Sequence, residues 1–356
     1  MDAIAALLDD ALARAIGSAA AVSIGDAGIE VERVVCGRTQ RVPELGDVID
    51  DLAWFDLASL TKPMVTVASA MVLVGEGRLR LDDPIARWLP ASPSAGSVRQ
   101  LLGHAAGCIA HVEFFKTMRE RTDADPYAAL LELVLRVPAN PPGVATVYSD
   151  LGYIQLGAII ERAAGLPLDQ VFAELVAGPL GLAARFPGTH ALGSAVATEI
   201  DDRRGEVVGL VHDENAYYAG GICGHAGLFS AIGDVARFAQ AVVETHGGRA
   251  HGKLLPAVVR QFASESAAPS TTWRLGFDTP SLDPGVSHAG DRWPRVGSIG
   301  HTGFTGTSMW LDLPRRRWVV LLTNRVHPTR FGTSADDIKA LRRAVNDAAF
   351  ELLERR

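Results

Sequence analysis

The stretch Asp56-Leu57-Ala58-Ser59-Leu60-Thr61-Lys62-Pro63, followed by the apolar run from Met64 to Val74, decides how the rest of the chain is interpreted. Ser59 and Lys62 stand three residues apart, and on a helix that spacing places both side chains on one face. A serine on the first turn of a helix lies where the helix dipole stabilises a developing oxyanion. A desolvated lysine one turn later can accept the hydroxyl proton. The stretch therefore predicts an activated nucleophile on a buried helix.

A serine and a lysine can also fall three residues apart by accident. The chain has 18 serines but only four lysines, and Ser59 with Lys62 is its only Ser-x-x-Lys pair. Short motifs of this kind do occur by chance. The pair becomes specific only when partners elsewhere in the chain complete a site.

Size and composition predict a globular protein with two lobes. The 356 residues exceed the length at which one hydrophobic core usually suffices. Apolar residues make up 48% and charged residues 21%, which is ordinary for a soluble globular chain. The net charge is -7 and the only basic triplet is Arg315-Arg316-Arg317. We therefore expect no nucleic-acid partner, while composition leaves the oligomeric state open.

Cysteine usage and the N-terminus bear on the cellular compartment. Cys36, Cys108 and Cys223 are odd in number and widely spaced, which favours neither a disulfide framework nor a zinc site. The first residues lack the basic segment and unbroken apolar segment of a signal peptide. No apolar run approaches the length of a membrane span. We therefore expect a cytoplasmic protein without a membrane span; a chain that had lost a leader would look the same and would be periplasmic.

The pattern along the chain predicts an α+β fold, with a mainly antiparallel sheet flanked by helices and an inserted all-helical lobe. Residues 1–75 and 215–356 are expected to form one mixed lobe, and residues 76–214 a mainly helical lobe. Within the helical lobe, residues 193–210 are ambiguous and compatible with a short hairpin. The mixed lobe has a long amphipathic helix at 336–353 and strand-like runs at 20–24, 29–36, 274–277, 296–301, 308–312 and 318–323.

The second candidate element is Tyr148-Ser149-Asp150, in a loop ahead of a helix. A tyrosine in such a place is more often a packed aromatic side chain than a catalyst. Its phenol can act as an acid or a base only when a nearby cation lowers its pKa. Lys62 is the cation that would supply this charge.

The third candidate element is Gly300-His301-Thr302-Gly303-Phe304, at the end of a predicted strand. Small residues at that place let a substrate backbone approach the strand edge. Glycine-rich turns are common, so this element is informative only together with the other two.

In this order, Ser-x-x-Lys, Tyr-x-Asx and (Lys/His)-Thr-Gly resemble the motifs of the penicillin-recognising serine hydrolases. That family includes class C β-lactamases, D,D-peptidases, and related esterases and D-aminopeptidases. The likeness runs from about residue 50 to residue 330. Three further segments match it: Leu101-Leu102-Gly103-His104-Ala105-Ala106-Gly107, Tyr148-Ser149-Asp150-Leu151-Gly152-Tyr153 and Gly224-His225-Ala226-Gly227-Leu228-Phe229-Ser230.

The resemblance implies a β-lactamase/transpeptidase-like fold and a serine hydrolase that acts on a small-molecule or peptide-like substrate without a cofactor or metal. Ser59 would attack the carbonyl of an ester or amide and form an acyl-enzyme, with Lys62 and Tyr148 sharing the proton transfers. The activity would be that of a carboxylesterase, a D-amino-acid peptidase or a weak β-lactamase. The oxyanion hole would use the N–H groups of Ser59 and Phe304. The implied substrate-binding and oxyanion residues are Asp150, His301, Thr302, Gly303 and Phe304.

Two residues depart from the common motifs of that family. Asp150 replaces an asparagine, and its carboxylate would hold Lys62 charged, weaken it as a base and pass that role to Tyr148. His301 replaces a lysine, so a titratable group stands where relatives have a fixed positive charge that recognises carboxylates. Efficient β-lactamase activity is therefore not expected. Whether Arg325 or Arg330 replaces the lost cation stays open.

Two other interpretations are compatible with the sequence. His212, Asp213 and His225 could bind a metal, although His212, Asp213 and Glu214 are consecutive and cannot all point the same way. The spacing also differs from His-Glu-x-x-His. Alternatively, the chain could be a penicillin-binding or sensor relative that is acylated on Ser59 and does not turn over.

Overall fold

The computed structural model describes residues 3–356, so the first two residues of the predicted mixed lobe lie outside the described residues. The strands in this range are β1 (Ala19–Asp26), β2 (Ile29–Gly37), β3 (Phe55–Asp56), β4 (Ala197–Asp201), β5 (Gly205–Val208), β6 (Phe229–Ser230), β7 (Ser298–Thr302), β8 (Ser308–Asp312) and β9 (Arg317–Thr323). The main sheet has five antiparallel strands in the order β2-β1-β9-β8-β7. Both ends of the chain thus contribute to one sheet.

Helices flank this sheet and fill most of the middle of the chain. A 3-10 turn, Ala58–Leu60, and a π-helix, Lys62–Val67, lead directly into α2 (Ala68–Gly75). A second π-helical segment, Ala173–Ala177, lies later in the chain. The α-helices are α1 (Ala3–Ala13), α2, α3 (Ile85–Trp88), α4 (Val98–Leu102), α5 (Phe115–Met118), α6 (Pro126–Leu135), α7 (Asp150–Ala164), α8 (Leu168–Phe172), α9 (Gly178–Leu180), α10 (Glu214–Tyr218), α11 (Ile232–His246), α12 (Pro256–Ser264) and α13 (Ala335–Glu354).

The sheet is covered by apolar side chains on both faces. Alternate residues of a strand point to opposite faces, and β1 follows this rule. Val22 and Ile24 pack with α1 and α13, in a core that also holds Leu8 and Val345. Ala19 and Ala21 join the larger core on the other face, which extends into the helical region. The segment from Ala58 to Gly75 lies in that larger core.

Several predicted elements can be compared directly with the structure. The mainly antiparallel sheet flanked by helices is confirmed. In the stretch 193–210, which the sequence left ambiguous, β4 and β5 form an antiparallel hairpin. The predicted strand at 274–277 is wrong, because the chain turns back at Gly276 (φ +96°), whose N–H donates to the Arg274 carbonyl. Only Asp278 bridges the sheet there, opposite Gly300. The boundaries of the two lobes stay a prediction.

One helical segment, Ala58–Gly75, is 18 residues long and apolar enough by composition to cross a membrane. This finding corrects the expectation that no apolar run approaches that length. Within the protein, however, 83% of the segment is buried. A core helix passes the same test of length and composition, and this one is surrounded by the larger core.

Asn324, directly after β9, ties the two ends of the chain together. Its Oδ1 accepts hydrogen bonds from the backbone N–H groups of Ser18 (2.8 Å) and Ala19 (3.0 Å). Its Nδ2 donates to the hydroxyl of Ser18 (2.8 Å) and to the carbonyl of Ala197 (2.7 Å). Because Asn324 is buried, none of these groups has water as an alternative partner.

We expect Asn324→Ala to lower the free energy of unfolding by about 2–4 kcal/mol, because it leaves buried N–H and C=O groups without partners. Urea unfolding followed by circular dichroism measures this change. Asp202→Ala, at an exposed position, is the control and should change stability by less than about 0.5 kcal/mol. A loss no larger than that of the control would show that Asn324 does not hold the two ends together.

Candidate active site

The predicted nucleophile and its lysine are in direct contact. Lys62 Nζ donates to Ser59 Oγ at 2.9 Å, and the lysine is completely buried. The same ammonium donates to Asp150 Oδ1 at 2.7 Å and to the carbonyl oxygen of His225 at 3.2 Å. A buried ammonium has three N–H groups to satisfy, and these three acceptors match them.

The helix that carries Ser59 and Lys62 is irregular at its start. Ser59 lies in a 3-10 turn and Lys62 opens a π-helix, so the first turn is not the regular α-helix that the sequence predicted. Ala58 has φ +46°, a left-handed conformation that alanine rarely adopts. Strained backbone of this kind persists only where the surroundings hold it, which is common beside catalytic residues.

The turn after β7 holds the residues just before Ser59 in place. In this turn, Thr305 Oγ1 donates to the Asp56 carbonyl at 2.8 Å, and Thr307 Oγ1 donates to the Leu57 carbonyl at 3.0 Å. A methyl group on Gly303 would approach the Leu57 oxygen to 2.6 Å, so a side chain there would separate the two segments. The predicted oxyanion donors, the N–H groups of Ser59 and Phe304, therefore belong to segments in contact.

The segment 224–230 packs along the other side of the nucleophile helix. Thr66 Oγ1 donates to the Gly224 carbonyl at 2.5 Å, and the Leu228 N–H donates to Thr61 Oγ1 at 3.1 Å. These contacts place the His225 carbonyl beside Lys62. The sequence marked this segment as a family match but did not assign its carbonyl to the lysine.

Lys62 and Asp150 form a charged pair. Burial by itself would lower the pKa of Lys62, but the Asp150 carboxylate and Tyr148 raise it, and the net pKa lies above its ordinary value. Burial by itself would raise the pKa of Asp150, but Lys62 and a hydrogen bond from His111 lower it, and the net pKa lies below its ordinary value. These two pKa shifts mean that Lys62 is an ammonium and Asp150 a carboxylate at neutral pH.

Tyr148 completes the group of predicted catalytic side chains. Lys62 Nζ lies 4.8 Å from the centre of its ring, and the rings of His104 and Trp273 lie 4.7 Å and 5.4 Å away. Burial raises the pKa of the phenol, Lys62 lowers it, and the net pKa stays above its ordinary value. In the resting protein, Tyr148 is therefore a neutral phenol.

His301 differs from the titratable group that the sequence predicted. Its Nδ1 is 2.8 Å from the Thr302 carbonyl, which fixes the proton on Nδ1, and its Nε2 has no hydrogen-bond partner. Burial, with a smaller contribution from Lys62, lowers the pKa of His301 to about 3. This imidazole is therefore neutral near neutral pH and presents an acceptor, because the uncharged ring costs less to bury than the charged one.

His111 is a site residue that sequence reasoning missed. Its Nδ1 lies 3.3 Å from Asp150 Oδ2, so a hydrogen-bonded chain runs from His111 through Asp150 and Lys62 to Ser59. The His111 side chain is 44% exposed, and its contact with Asp150 raises its pKa. No motif marks this histidine, because its partner is distant in sequence and its loop has no periodic pattern.

The two arginines left open by the sequence have different surroundings. Arg330 is paired with Glu199 (2.6 Å) and Glu214 (2.5 Å), so its charge is neutralised. Arg325 stacks on Phe304, with its guanidinium carbon 4.5 Å from the ring centre, and its Nε donates to the Phe304 carbonyl at 2.8 Å. Arg325 is thus bonded to the turn after β7 instead of to a carboxylate.

The residues of the metal hypothesis have separate partners. His212 Nε2 contacts Glu199 at 2.9 Å, whereas His225 Nε2 contacts Asp213 at 3.1 Å. Within residues 3–356, no group of three or more histidine, cysteine, aspartate or glutamate side chains is arranged to hold a metal ion. His212, Asp213 and His225 therefore do not converge on one point.

A cavity of about 650 Å³ opens over Ser59. Its lining includes the aromatic rings of Tyr148, Trp273 and Phe304 and the imidazole of His301. Asp150, Thr302 and Gly303 also line it, so the cavity brings the predicted substrate-binding residues together beside the nucleophile. Their functional roles stay predictions.

Comparisons with known proteins agree with this architecture. A family model described as Beta-lactamase matches residues 4–344. A protein of Escherichia coli (strain K12) named "Putative D-alanyl-D-alanine carboxypeptidase" is 30% identical over 314 residues, covering 77% of this chain and 69% of that protein.

Solved structures show the same fold across the whole chain. A class C β-lactamase from Rhodobacter sphaeroides superposes with a TM-score of 0.75 at 18% identity, covering 99% of this chain and 100% of that one. EstCE1, described as a hydrolase with promiscuous acyltransferase activity, gives 0.70 at 24% identity, covering 97% of each chain. The predicted β-lactamase/transpeptidase-like fold is confirmed. With its family match over residues 4–344, the chain belongs to the β-lactamase family of serine hydrolases.

Proposed function

We propose that this protein hydrolyses an ester or an amide through an acyl-enzyme on Ser59. The observation that carries the proposal is the 2.9 Å contact between Ser59 Oγ and the completely buried Lys62. A nucleophile beside a basic group that a third residue orients is the general pattern of covalent catalysis, and Asp150 is that third residue.

The proton transfers follow from the charges of the resting site. Ser59 Oγ attacks the substrate carbonyl, and its proton passes to the Lys62–Tyr148 pair, which later delivers a proton to the leaving group. Because Lys62 is charged and Tyr148 neutral at rest, the acylating form is the one in which this pair has first lost a proton. Water then releases the acyl group from Ser59.

The substrate class is narrowed by the third motif. His301 is neutral and offers an acceptor, so position 301 lacks the fixed cation that the resemblance assigns to carboxylate recognition in β-lactamases. We therefore place substrates without a carboxylate at that place, such as neutral esters and D-amino-acid amides, ahead of β-lactams. The name of the E. coli relative makes N-acetyl-D-alanyl-D-alanine, which ends in a carboxylate, a direct test of this order.

We expect a fluorophosphonate to add its mass to Ser59, and Ser59→Ala to abolish both this labelling and 4-nitrophenyl ester turnover, because the attacking oxygen is removed. Intact-protein mass spectrometry and a rate assay measure the two effects. Ser264→Ala, at an exposed serine, is the control and should keep both. Turnover that survives in Ser59→Ala but is lost with a chelator would favour a metal mechanism. Labelling without release of any ester, D-alanyl peptide or lactam product would favour a sensor.

We expect Asp150→Asn to move the ascending limb of the pH profile of kcat/KM to lower pH. The Asp150 carboxylate raises the pKa of both Lys62 and Tyr148, so its removal makes either group lose its proton at lower pH. Steady-state rates on one neutral ester across pH measure the shift. Asp278→Asn removes another carboxylate of the cavity and should leave the limb in place. If kcat/KM of Asp150→Asn rises at the same pH as that of the wild type, the Lys62–Tyr148 pair is not the base whose pKa Asp150 raises.

We expect the His301 ring to stay neutral between about pH 5.5 and 7.5, because its pKa is lowered to about 3. Histidine Cε1–H chemical shifts, assigned with His301→Asn, measure this directly. The His111 signal is an internal control, since its pKa is raised and it should titrate above the ordinary histidine value. A His301 signal that titrates inside that window would restore the titratable group expected from the sequence.

A further inference from the structure

His111 and Asp150 form a histidine–carboxylate pair in the wall of the cavity over Ser59. Both side chains line this cavity, and His111 Nδ1 lies 3.3 Å from Asp150 Oδ2. A carboxylate acceptor places the imidazole proton on Nδ1, so the neutral ring has its lone pair on Nε2. Among residues 3–356, the contact with Asp150 is the hydrogen bond found for this ring, and it leaves Nε2 free. The pair therefore has the arrangement of an imidazole base that a carboxylate orients.

The other histidines that line the cavity differ from His111. His212 uses its Nε2 in a contact with Glu199 at 2.9 Å and is buried. His301 is also buried, and its Nδ1 contacts a main-chain carbonyl instead of a carboxylate. Burial lowers the pKa of His288 to about 4, and nearby cations lower it further. The His111 side chain, in contrast, is 44% exposed, so water can reach its ring.

Carboxylates from three segments face His111. Asp150, at the start of α7, raises the pKa of His111 most, through their hydrogen bond. Burial acts in the opposite direction, while Asp213, directly before α10, and Glu113, on the same loop as His111, raise the pKa further. The net pKa of His111 lies above the ordinary histidine value. A neutral imidazole in these surroundings is therefore a stronger base than a histidine in water.

The two groups that serve acylation are less suited to activating water. Lys62 is completely buried, and its three N–H groups already have acceptors. Tyr148 is a neutral phenol in the resting protein, because its pKa lies above the ordinary value. Release of the acyl group nevertheless requires water to attack, and this attack is faster when a base takes one of the water protons.

We propose that His111 is the general base that activates the deacylating water, with Asp150 holding its ring in position. This inference rests on the proposed function and assigns its second step to a different base from its first. His111 Nε2 takes a proton from water while the water oxygen bonds to the acyl carbon. The bond from that carbon to Ser59 Oγ then breaks, and the Lys62–Tyr148 pair returns a proton to the serine. The proton on His111 replaces the one that the pair gave up, through the hydrogen bonds of Asp150, and the product leaves as a carboxylic acid that ionises in solvent.

Release of the acyl group can be measured apart from acylation. With 4-nitrophenyl acetate, 4-nitrophenol appears in a burst when deacylation is slower than acylation. Intact-protein mass spectrometry of quenched samples gives the fraction of protein that carries an acetyl group. The loss of this group after the ester is removed gives the deacylation rate constant. Because only protein that was acetylated is followed, a partly unfolded variant does not mimic slow deacylation.

We expect His111→Gln to lower the deacylation rate constant roughly hundred- to thousand-fold, because the amide can still bond to Asp150 but cannot take a proton. Acylation, measured as kcat/KM, should stay within about five-fold of wild type, so acetylated protein accumulates and a burst appears. Hydroxylamine, which attacks without the help of a base, should restore release. His288→Gln changes another histidine of the cavity and is the matched control, which should release acetate as fast as wild type.

The pH dependence of deacylation identifies the base. In the wild type, the deacylation rate constant should rise as pH increases through the pKa of His111, because only the neutral ring accepts a proton. This rise should lie above the ordinary histidine value and agree with the titration of the His111 Cε1–H signal. In His111→Gln the rise should be absent. A rise that persists in His111→Gln belongs to another group and overturns the proposal.

Other results would overturn the proposal and leave the acyl-enzyme on Ser59 intact. Deacylation of His111→Gln within about two-fold of wild type would leave the activation of water to Tyr148. An equal fall in acylation and deacylation, or acetylated protein that hydroxylamine does not release, would assign His111 only to holding the site together. A wild-type protein that never releases its acetyl group has no deacylation for His111 to assist.

Failure of the proposed function would look different. In that case neither a burst nor acetylated protein is seen in the wild type or in His111→Gln, and Ser59→Ala keeps its turnover. Such a result contradicts the acyl-enzyme itself and this inference with it.

Discussion

The buried ion pair between Lys62 and Asp150 is the constraint on which the rest of the site depends. A completely buried ammonium is strongly unfavourable unless a carboxylate and further acceptors surround it, and removing one partner of such a pair typically costs several kcal/mol. Lys62 follows the nucleophile turn, whereas Asp150 begins α7. Any arrangement that satisfies the lysine must therefore bring these two distant segments together. Tyr148, two residues before Asp150, reaches the nucleophile as a consequence.

The same pair sets the chemistry of the site. A carboxylate at the first turn of α7 is favoured by the helix dipole and by the ammonium, so the pair is stable in its charged form. That stability works against catalysis, because a lysine held as an ammonium donates to Ser59 Oγ instead of accepting its proton. An asparagine, the residue common in the family, would hold the lysine more weakly. Asp150 thus makes Lys62 a weaker base but holds it more firmly in place. The partly exposed His111 side chain links the Asp150 carboxylate to solvent.

The sequence predicted the parts of the site that belong to short local patterns. Ser59 and Lys62 share a helix turn, Tyr148 and Asp150 share a loop, and Thr302 and Gly303 end a strand, so the order of these short motifs and their resemblance to a family could find them. The 3-10 and π-helical start of the nucleophile segment could not be predicted, because it results from tertiary contacts such as those of Gly303 with Leu57. His111 was also missed. It becomes a candidate site residue only through Asp150, a partner distant in sequence.

The charge state of His301 shows why identity at a motif position does not determine its electrostatics. A histidine in water would be partly charged near neutral pH, yet here burial and the ammonium of Lys62 both disfavour the imidazolium. A cation at position 301 would lie near the ammonium of Lys62 and would add a further positive charge to a cavity that Arg325 and Arg342 also line. The neutral imidazole therefore avoids electrostatic repulsion from Lys62 and Arg342. The guanidinium groups of the cavity belong to α13 and to the segment after β9, whereas the end of β7 that lines the same cavity is uncharged because burial keeps His301 neutral.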